Sequence, residues 1–186
     1  MHKQPDPNSY FTLFALSLVN SCGAASLLLA PVIVGGLVST LGFSGQQAGY
    51  IISSELAGLA LAAIPAALWL SRFNWQRVLY VMLVVLIAGN VLTSTLMDYS
   101  TFLIVRFITG FTAGLSLAVS MSVINLSSDP DRNLGFWFSL QLLLTVVGLA
   151  LLPTYISSFG IGGIYALLAA FQFCLLFVVR FVPAGG

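Results

Sequence analysis

Charge is what this sequence has least of. Only 6% of its 186 residues are Asp, Glu, Lys or Arg, against the roughly 25% with which a soluble domain covers its surface. With 59% hydrophobic residues and a mean hydropathy of +1.06, such a chain must be solvated by lipid, as an integral membrane protein. The net charge of +1 leaves no basic tract for a nucleic acid. Histidine occurs once, as His2 in the amino-terminal tail. Cysteine occurs twice, and Cys22 and Cys174 both fall in apolar runs, where they read as small hydrophobes and not as a disulfide framework or metal ligands. No apolar run carries paired carboxylates or a nucleophile with a base, and no Gly-rich phosphate loop follows a strand. These absences argue against an enzyme, a metal site and a bound cofactor. The "VNSC" at 19–22 resembles a lipoprotein cleavage site, but the apolar run continues past it, as a signal peptide would not.

What is present is a series of long apolar runs. A helix needs about 20 apolar residues to cross a bilayer, and six runs suffice: residues 10–38, 47–70, 78–97, 101–126, 134–155 and 162–181. The breaks, among them "SRFNWQR" and "SSDPDRN", are short and rich in turn formers. The expected fold is an all-α membrane protein: a six-helix transmembrane bundle over residues 10–182, with tails at 1–9 and 183–186. Six spans put both termini on one side. That side also receives Lys3, Arg72, Arg77, Arg132 and Arg180, whereas the other holds only Asp98. The positive-inside rule makes the basic side cytoplasmic. Trp69, Trp75 and Trp137 lie near the same boundary, where indole rings anchor helices at the headgroups. Asp131, with Arg132 and Asn133, is placed to cap the fifth helix.

Two charged residues lie well inside runs, Glu55 in the second and Arg106 in the fourth. Both runs travel the same way, and the depths differ by less than an arginine's reach, so the residues can pair if their helices adjoin. Intramembrane ionisable groups mark water-accessible pathways, although a structural ion pair or an arginine reaching the headgroups explains them too. Asn20, Asn90, Gln141 and Gln172 are the uncharged polar residues inside the runs, each suited to hydrogen bonding between helices. Small residues recur every fourth position, at Ser54, Gly58, Ala62 and Ala66 and at Gly110, Gly114, Ala118 and Ser122. Such stripes let two backbones approach closely. Pro31 and Pro65 remove backbone bonds and permit kinks.

"RFITGFTAG" at 106–114 fits the pattern R-x-x-x-G-x-x-x-G, and "ALWLSRFNWQRV" at 67–78 occupies the position of a G-x-L-x-D-R-x-G-R-R loop. With the span count and short loops, these residues resemble the amino-terminal six-helix half of a major facilitator superfamily transporter. The loop keeps Arg72 and Arg77, but Ala67, Ser71 and Asn74 replace its first glycine, its aspartate and its second glycine. A charge-based latch at Ser71 is therefore not expected. Gly148 and Pro153 only echo the fifth-span motif of the family's antiporter branch. The resemblance implies two inverted three-helix repeats, and a central cavity faced by spans one, two, four and five. Asn20, Glu55, Arg106 and Gln141 would then line it.

The expected function is one half of a secondary active, proton-linked transporter that moves a small organic solute by alternating access. It would sit in a bacterial inner (plasma) membrane with both termini cytoplasmic, and Arg106 slightly favours an anionic or polar solute. Glu55 is its titratable group and Arg106 its fixed charge. The second six-helix half would come from homodimerisation or from a separate chain. The competing reading is a non-transporting membrane scaffold or assembly subunit of a larger complex.

Overall fold

A computed structural model describes residues 8–69 and 73–183, and helices make up nearly all of it, with no strand among the described residues. Seven helices follow in order: α1 (Tyr10–Leu28), α2 (Ala30–Leu41), α3 (Gly45–Leu61), α4 (Ala63–Trp69), α5 (Trp75–Thr95), α6 (Tyr99–Asn125) and α7 (Pro130–Leu175). A 3-10 turn, Val179–Phe181, ends the order. Among the described residues, four stretches are long and apolar enough to cross a membrane, Gly45–Leu68, Trp75–Thr95, Tyr99–Asn125 and Pro130–Leu175. Tyr10–Ser21 and Ala30–Leu41 are shorter apolar helices.

The helix starts are set by local chemistry. Ser44 and Gln47 form a reciprocal capping box at α3. The Asn74 side chain accepts from the Arg77 amide (3.0 Å) to open α5. Asp98 accepts from the Thr101 amide (2.8 Å) and hydroxyl (2.7 Å) to open α6. These bonds to Thr101 hold the Asp98 carboxyl below its ordinary pKa of 3.8. At α7 the cap is Asp129, accepting from the Arg132 amide, and not Asp131. Pro130 fits the first helical position, which starts the helix earlier than expected. Asn133 instead donates to the Ser127 hydroxyl (2.8 Å).

The breaks inside the apolar runs differ more. The first run divides at Leu29 (φ −97°, ψ 12°), two residues before Pro31, and the second at Ala62, three before Pro65. In each the proline lacks an N–H, and its ring crowds the preceding turn. Between the fifth and sixth runs, the expected loop at 156–161 is helical. "ISSF" lacks a helix breaker, and Ser157 and Ser158 both bond back to the Thr154 carbonyl. Only Gly160 departs, with φ 66° and ψ −176°, a conformation open to glycine. At 46 residues a straight α7 would be about 69 Å long, so the Gly160 bend divides it into two arms. The second arm ends at Leu175, short of the expected 181, and turns carry the chain on to Val179.

Contacts fix the helix directions. α1 and α2 run parallel to the first arm of α7, because Arg132 donates to the Tyr10 hydroxyl, Gly148 meets Leu29 and Gly36 meets Ile156. α3 and α4 run parallel to α6, with Ser54 bonded to the Leu103 carbonyl (2.9 Å) and Gly114 against Leu59 and Ala62. The second arm runs antiparallel to α5, from Gly162 at Ser94 through Gln172 at Asn90 to Val179 at Gln76. Arg77, Arg132 and Arg180 consequently share one end of the bundle. Lys3, Arg72 and Ser71 lie outside the described residues.

Two large apolar clusters, with a small third one of Ala62, Ala66 and Leu115, fill the interior. One, toward the basic end, includes Leu16, Val19, Leu83, Val123 and Trp137. The other includes Ile33, Leu37, Ile51, Phe102 and Ile164. Trp75 and Trp137 are buried in the first cluster and are not headgroup anchors, because their rings are large enough to fill the space between helices there. The outer faces carry Ile64, Val81, Ile104, Val146 and Leu151, all exposed, as lipid contact requires. Cys174, a free thiol, is also exposed.

Candidate functional site

Between the two clusters lies a polar network. On α6, Arg106 falls between Phe102 of one cluster and Val119 of the other, and on α5 Asn90 follows Leu83. Ser26 lies between Val19 and Leu29 in the same way, and Gln172 between Ile164 and Leu175. A polar layer placed between apolar ones must satisfy itself from within the protein, since lipid offers no partners.

It does so around Arg106, which is 2% exposed. Its Nε donates to Glu55 Oε2 (3.2 Å) and its Nη2 to Glu55 Oε1, a two-pronged ion pair. Nη1 donates to Asn90 Oδ1 (2.8 Å) and Nη2 also to Ser26 Oγ (2.9 Å). Asn90 is oriented in turn by donating to Gln172 Oε1 (2.9 Å). The guanidinium lies 4.8 Å above the Tyr165 ring, a cation–π contact. α3 and α6 adjoin, Glu55 and Arg106 pair, and α1, α3, α5, α6 and the second arm of α7 all contribute to the network.

The pair can form because the small-residue stripes let α3 and α6 touch. A methyl group built at Gly110 would overlap the carbonyl of Glu55 itself, and one at Gly114 would come within 2.6 Å of the Ala62 Cβ. One at Gly58 would overlap the Phe107 carbonyl. These glycines bring the two charged residues into reach.

The network departs from expectation in its direction. Arg106 is enclosed within the bundle, bonded to Ser26 of α1, Glu55 of α3 and Asn90 of α5 and covered by Tyr165 of the second arm, and does not open onto a cavity faced by spans one, two, four and five. All three of its guanidinium nitrogens are engaged by protein groups, and Glu55 neutralises it. An anionic solute gains nothing from Arg106 in this arrangement. Glu55, 8% exposed, borders a narrow crevice lined by Gly23, Leu27 and Leu56. Tyr165 and Ser26 belong to the network and were not singled out in the sequence. An ordinary hydroxyl in an apolar run carries no signal until the helix register is known.

Asn20 and Gln141 stand apart from the pair. Asn20 is 3% exposed, and its Nδ2 finds no hydrogen-bond partner among the described residues. The same holds for Gln141 Oε1. Gln141 lines an apolar cleft of about 480 Å³ between α1 and the two arms of α7.

A sequence profile of the Major Facilitator Superfamily matches residues 11–185. No curated protein matches the chain. With nearly its whole length matched, this chain belongs to the Major Facilitator Superfamily, and it is an integral membrane protein of that family's transporter kind.

Proposed function

We propose, with superfamily membership as the premise, that the chain is half of a proton-linked secondary transporter for a small organic solute. It works by alternating access from the inner membrane of a bacterium, against a second six-helix half. The one observation that carries this reading is the Glu55–Arg106 pair, a titratable group and a permanent charge, both buried, with Glu55 bordering a crevice. Burial of ionisable groups in a membrane is costly, and a proton pathway repays it. In the proposed cycle, protonation of Glu55 releases its hold on Arg106, which then leans on Asn90, Ser26 and the Tyr165 ring. The change loosens α3 from α6 and couples proton arrival to helix movement.

Six spans accord with the breaks at Leu29, Ala62 and Gly160, if α1–α2 and α3–α4 each cross once and α7 crosses twice. The parallel pairing of span one with five and of two with four suits two inverted three-helix repeats, since an inversion exchanges those two pairs. The sharing of one bundle end by Arg77, Arg132 and Arg180 supports cytoplasmic termini.

The test is solute-driven proton movement in proteoliposomes carrying an internal pH dye, with neutral organic solutes screened as drivers. Glu55→Gln should abolish solute-driven acidification or alkalinisation while solute counterflow persists. Undiminished proton movement in that variant sinks the reading. The scaffold alternative draws on one observation, the engagement of every Arg106 nitrogen within the bundle. It expects no solute-driven flux and a stoichiometric membrane partner on purification.

A further inference from the structure

We propose, building on the coupling cycle above, that the Tyr165 hydroxyl is a positioning group for Arg106. It is unpaired while Glu55 is ionised, and it accepts a hydrogen bond from the guanidinium once Glu55 is protonated. The hydroxyl thereby holds the protonated state of the pair.

Tyr165 lies on the second arm of α7 and is fully buried. Its hydroxyl oxygen has no hydrogen-bond partner among the described residues, and less than 1 Å² of its surface is open to water. A buried polar atom left unpaired is costly, and its persistence calls for a reason. With water shut out, the missing partner is a protein group that moves. The other buried members of its cluster are all apolar, with the Phe102 ring 5.8 Å from the Tyr165 ring. They offer no donor.

Arg106 does. The Tyr165 ring lies 4.8 Å from the guanidinium carbon, so the hydroxyl sits on the rim of the surface against which the guanidinium rests. An arginine has five N–H donors. Among the described residues four of these are used, one from Nε, one from Nη1 and two from Nη2. The fifth, on Nη1, is spare. An oxygen that lacks a donor and an N–H that lacks an acceptor thus belong to two side chains already in contact. The two-pronged pair with Glu55 fixes the guanidinium where they do not meet.

Protonation of Glu55 removes that constraint. A neutral carboxyl group accepts more weakly than a carboxylate, so Arg106 loses the counter-charge that fixed its plane. Of the network's members, only Glu55 of α3, Arg106 of α6 and Tyr165 are charged or titratable. Ser26 of α1, Asn90 of α5 and Gln172 of the second arm cannot supply a replacement charge. The guanidinium then tilts until Nη1 donates to the Tyr165 oxygen, a bond strengthened by the charge on its donor.

The experiment follows the Glu55 carboxylic-acid band by infrared difference spectroscopy as the protein is acidified in nanodiscs. Loss of the band in Glu55→Gln assigns it. Tyr165→Phe keeps the ring beside Arg106 and removes only the hydroxyl. About tenfold more acid should then be needed to bring the band to half height, the effect of one hydrogen bond to a charged group. Tyr50→Phe, on the same helix as Glu55 but 52% exposed and bonded to Gln46, should leave the half height unchanged. Thermal unfolding gives a second readout. Above the half-height pH, Tyr165→Phe should be as stable as the unmodified protein or more so, and below it less stable. Equal half heights overturn the proposal alone, and the coupling reading stands if solute-driven proton movement persists. A band that needs less acid in the variant also overturns it, since the hydroxyl would then hold the ionised carboxylate. So does an equal loss of stability above and below, which marks a hydroxyl that serves folding only. A Glu55 band that never appears in the unmodified protein overturns both this proposal and the coupling reading.

Discussion

Arg106 is an arginine because its partners surround a plane. Glu55, Asn90 and Ser26 take donors from three different nitrogens, and the flat face is left for Tyr165. A lysine ammonium offers three donors from one point and no face, so Arg106→Lys should lower the melting temperature although charge is conserved. Removing the charge should cost more. Arg106→Leu leaves the Glu55 carboxylate buried alone, a loss of about 3–5 kcal/mol. The double variant Glu55→Gln/Arg106→Leu should be more stable than Arg106→Leu by itself. Denaturant unfolding in detergent would measure both, and a double variant no better than the single one would mean that the pair is not coupled. At this scale the sequence was informative where chemistry is rare. In a chain with so few charges, Glu55 and Arg106 named themselves, whereas Asn90 and Gln172 were legible only as polar groups suited to bonding between helices. Ser26 and Tyr165 could not, because many hydroxyls lie in apolar runs and most bond to their own helix, as Ser17 does to Leu13.

At the scale of the helix, the contact of α3 with α6 rests on glycine. Gly110→Ala and Gly114→Ala should each destabilise by about 1–3 kcal/mol through overpacking. Gly49→Ala, with open space around it on the same α3, should be neutral or gain up to about 1 kcal/mol from helix propensity. Thermal unfolding of the three variants separates packing from propensity. The four-residue spacing made this interface readable, since a stripe of small residues has one main use inside a membrane. The capping of α6 carries a pH signature. Because the Asp98 pKa is lowered in the fold, its contribution is present in full above the unfolded value of 3.8 and is lost as pH falls through the lower folded value. The Thr101 amide resonance should therefore titrate with a midpoint below 3.8, and Asp98→Asn should abolish that titration. Other helix features were harder to read. Pro31 and Pro65 marked places where kinks are permitted, but Gly160 among the residues of an expected loop gave no sign that its neighbours are helical. Trp137 matched the composition of an interfacial anchor, and only the packing of α7 on its neighbours decided that it is buried.

At the scale of the molecule, Arg77, Arg132 and Arg180 gather at one end although they come from distant parts of the sequence. With Cys22 and Cys174 replaced by serine, a cysteine introduced at Ser100 should react with an impermeant maleimide in intact cells. One at Arg132 should react only after permeabilisation. Reaction of both from outside would invert or refute the orientation. The alternation of apolar runs and short polar breaks made the all-helical membrane class plain, because bilayer thickness dictates run length. Which helices adjoin, and in what register, was not legible. Contacts such as that of Gln172 with Asn90 depend on how non-consecutive helices pack, and one sequence holds no direct trace of that.

The Thr12 hydroxyl donates to the carbonyl of Phe181 (2.8 Å), and the Phe11 and Phe181 rings lie 6.0 Å apart. A nascent chain that has left the ribosome only as far as α6 already holds both Glu55 and Arg106, but neither Tyr165 nor Gln172, and it has nothing to seal the beginning of α1. The beginning of α1 therefore stays partly unclad until the turn at Val179–Phe181 has been made. These helices close over one another only after that turn has followed α7, and until then the buried charges depend on the insertion machinery for shelter.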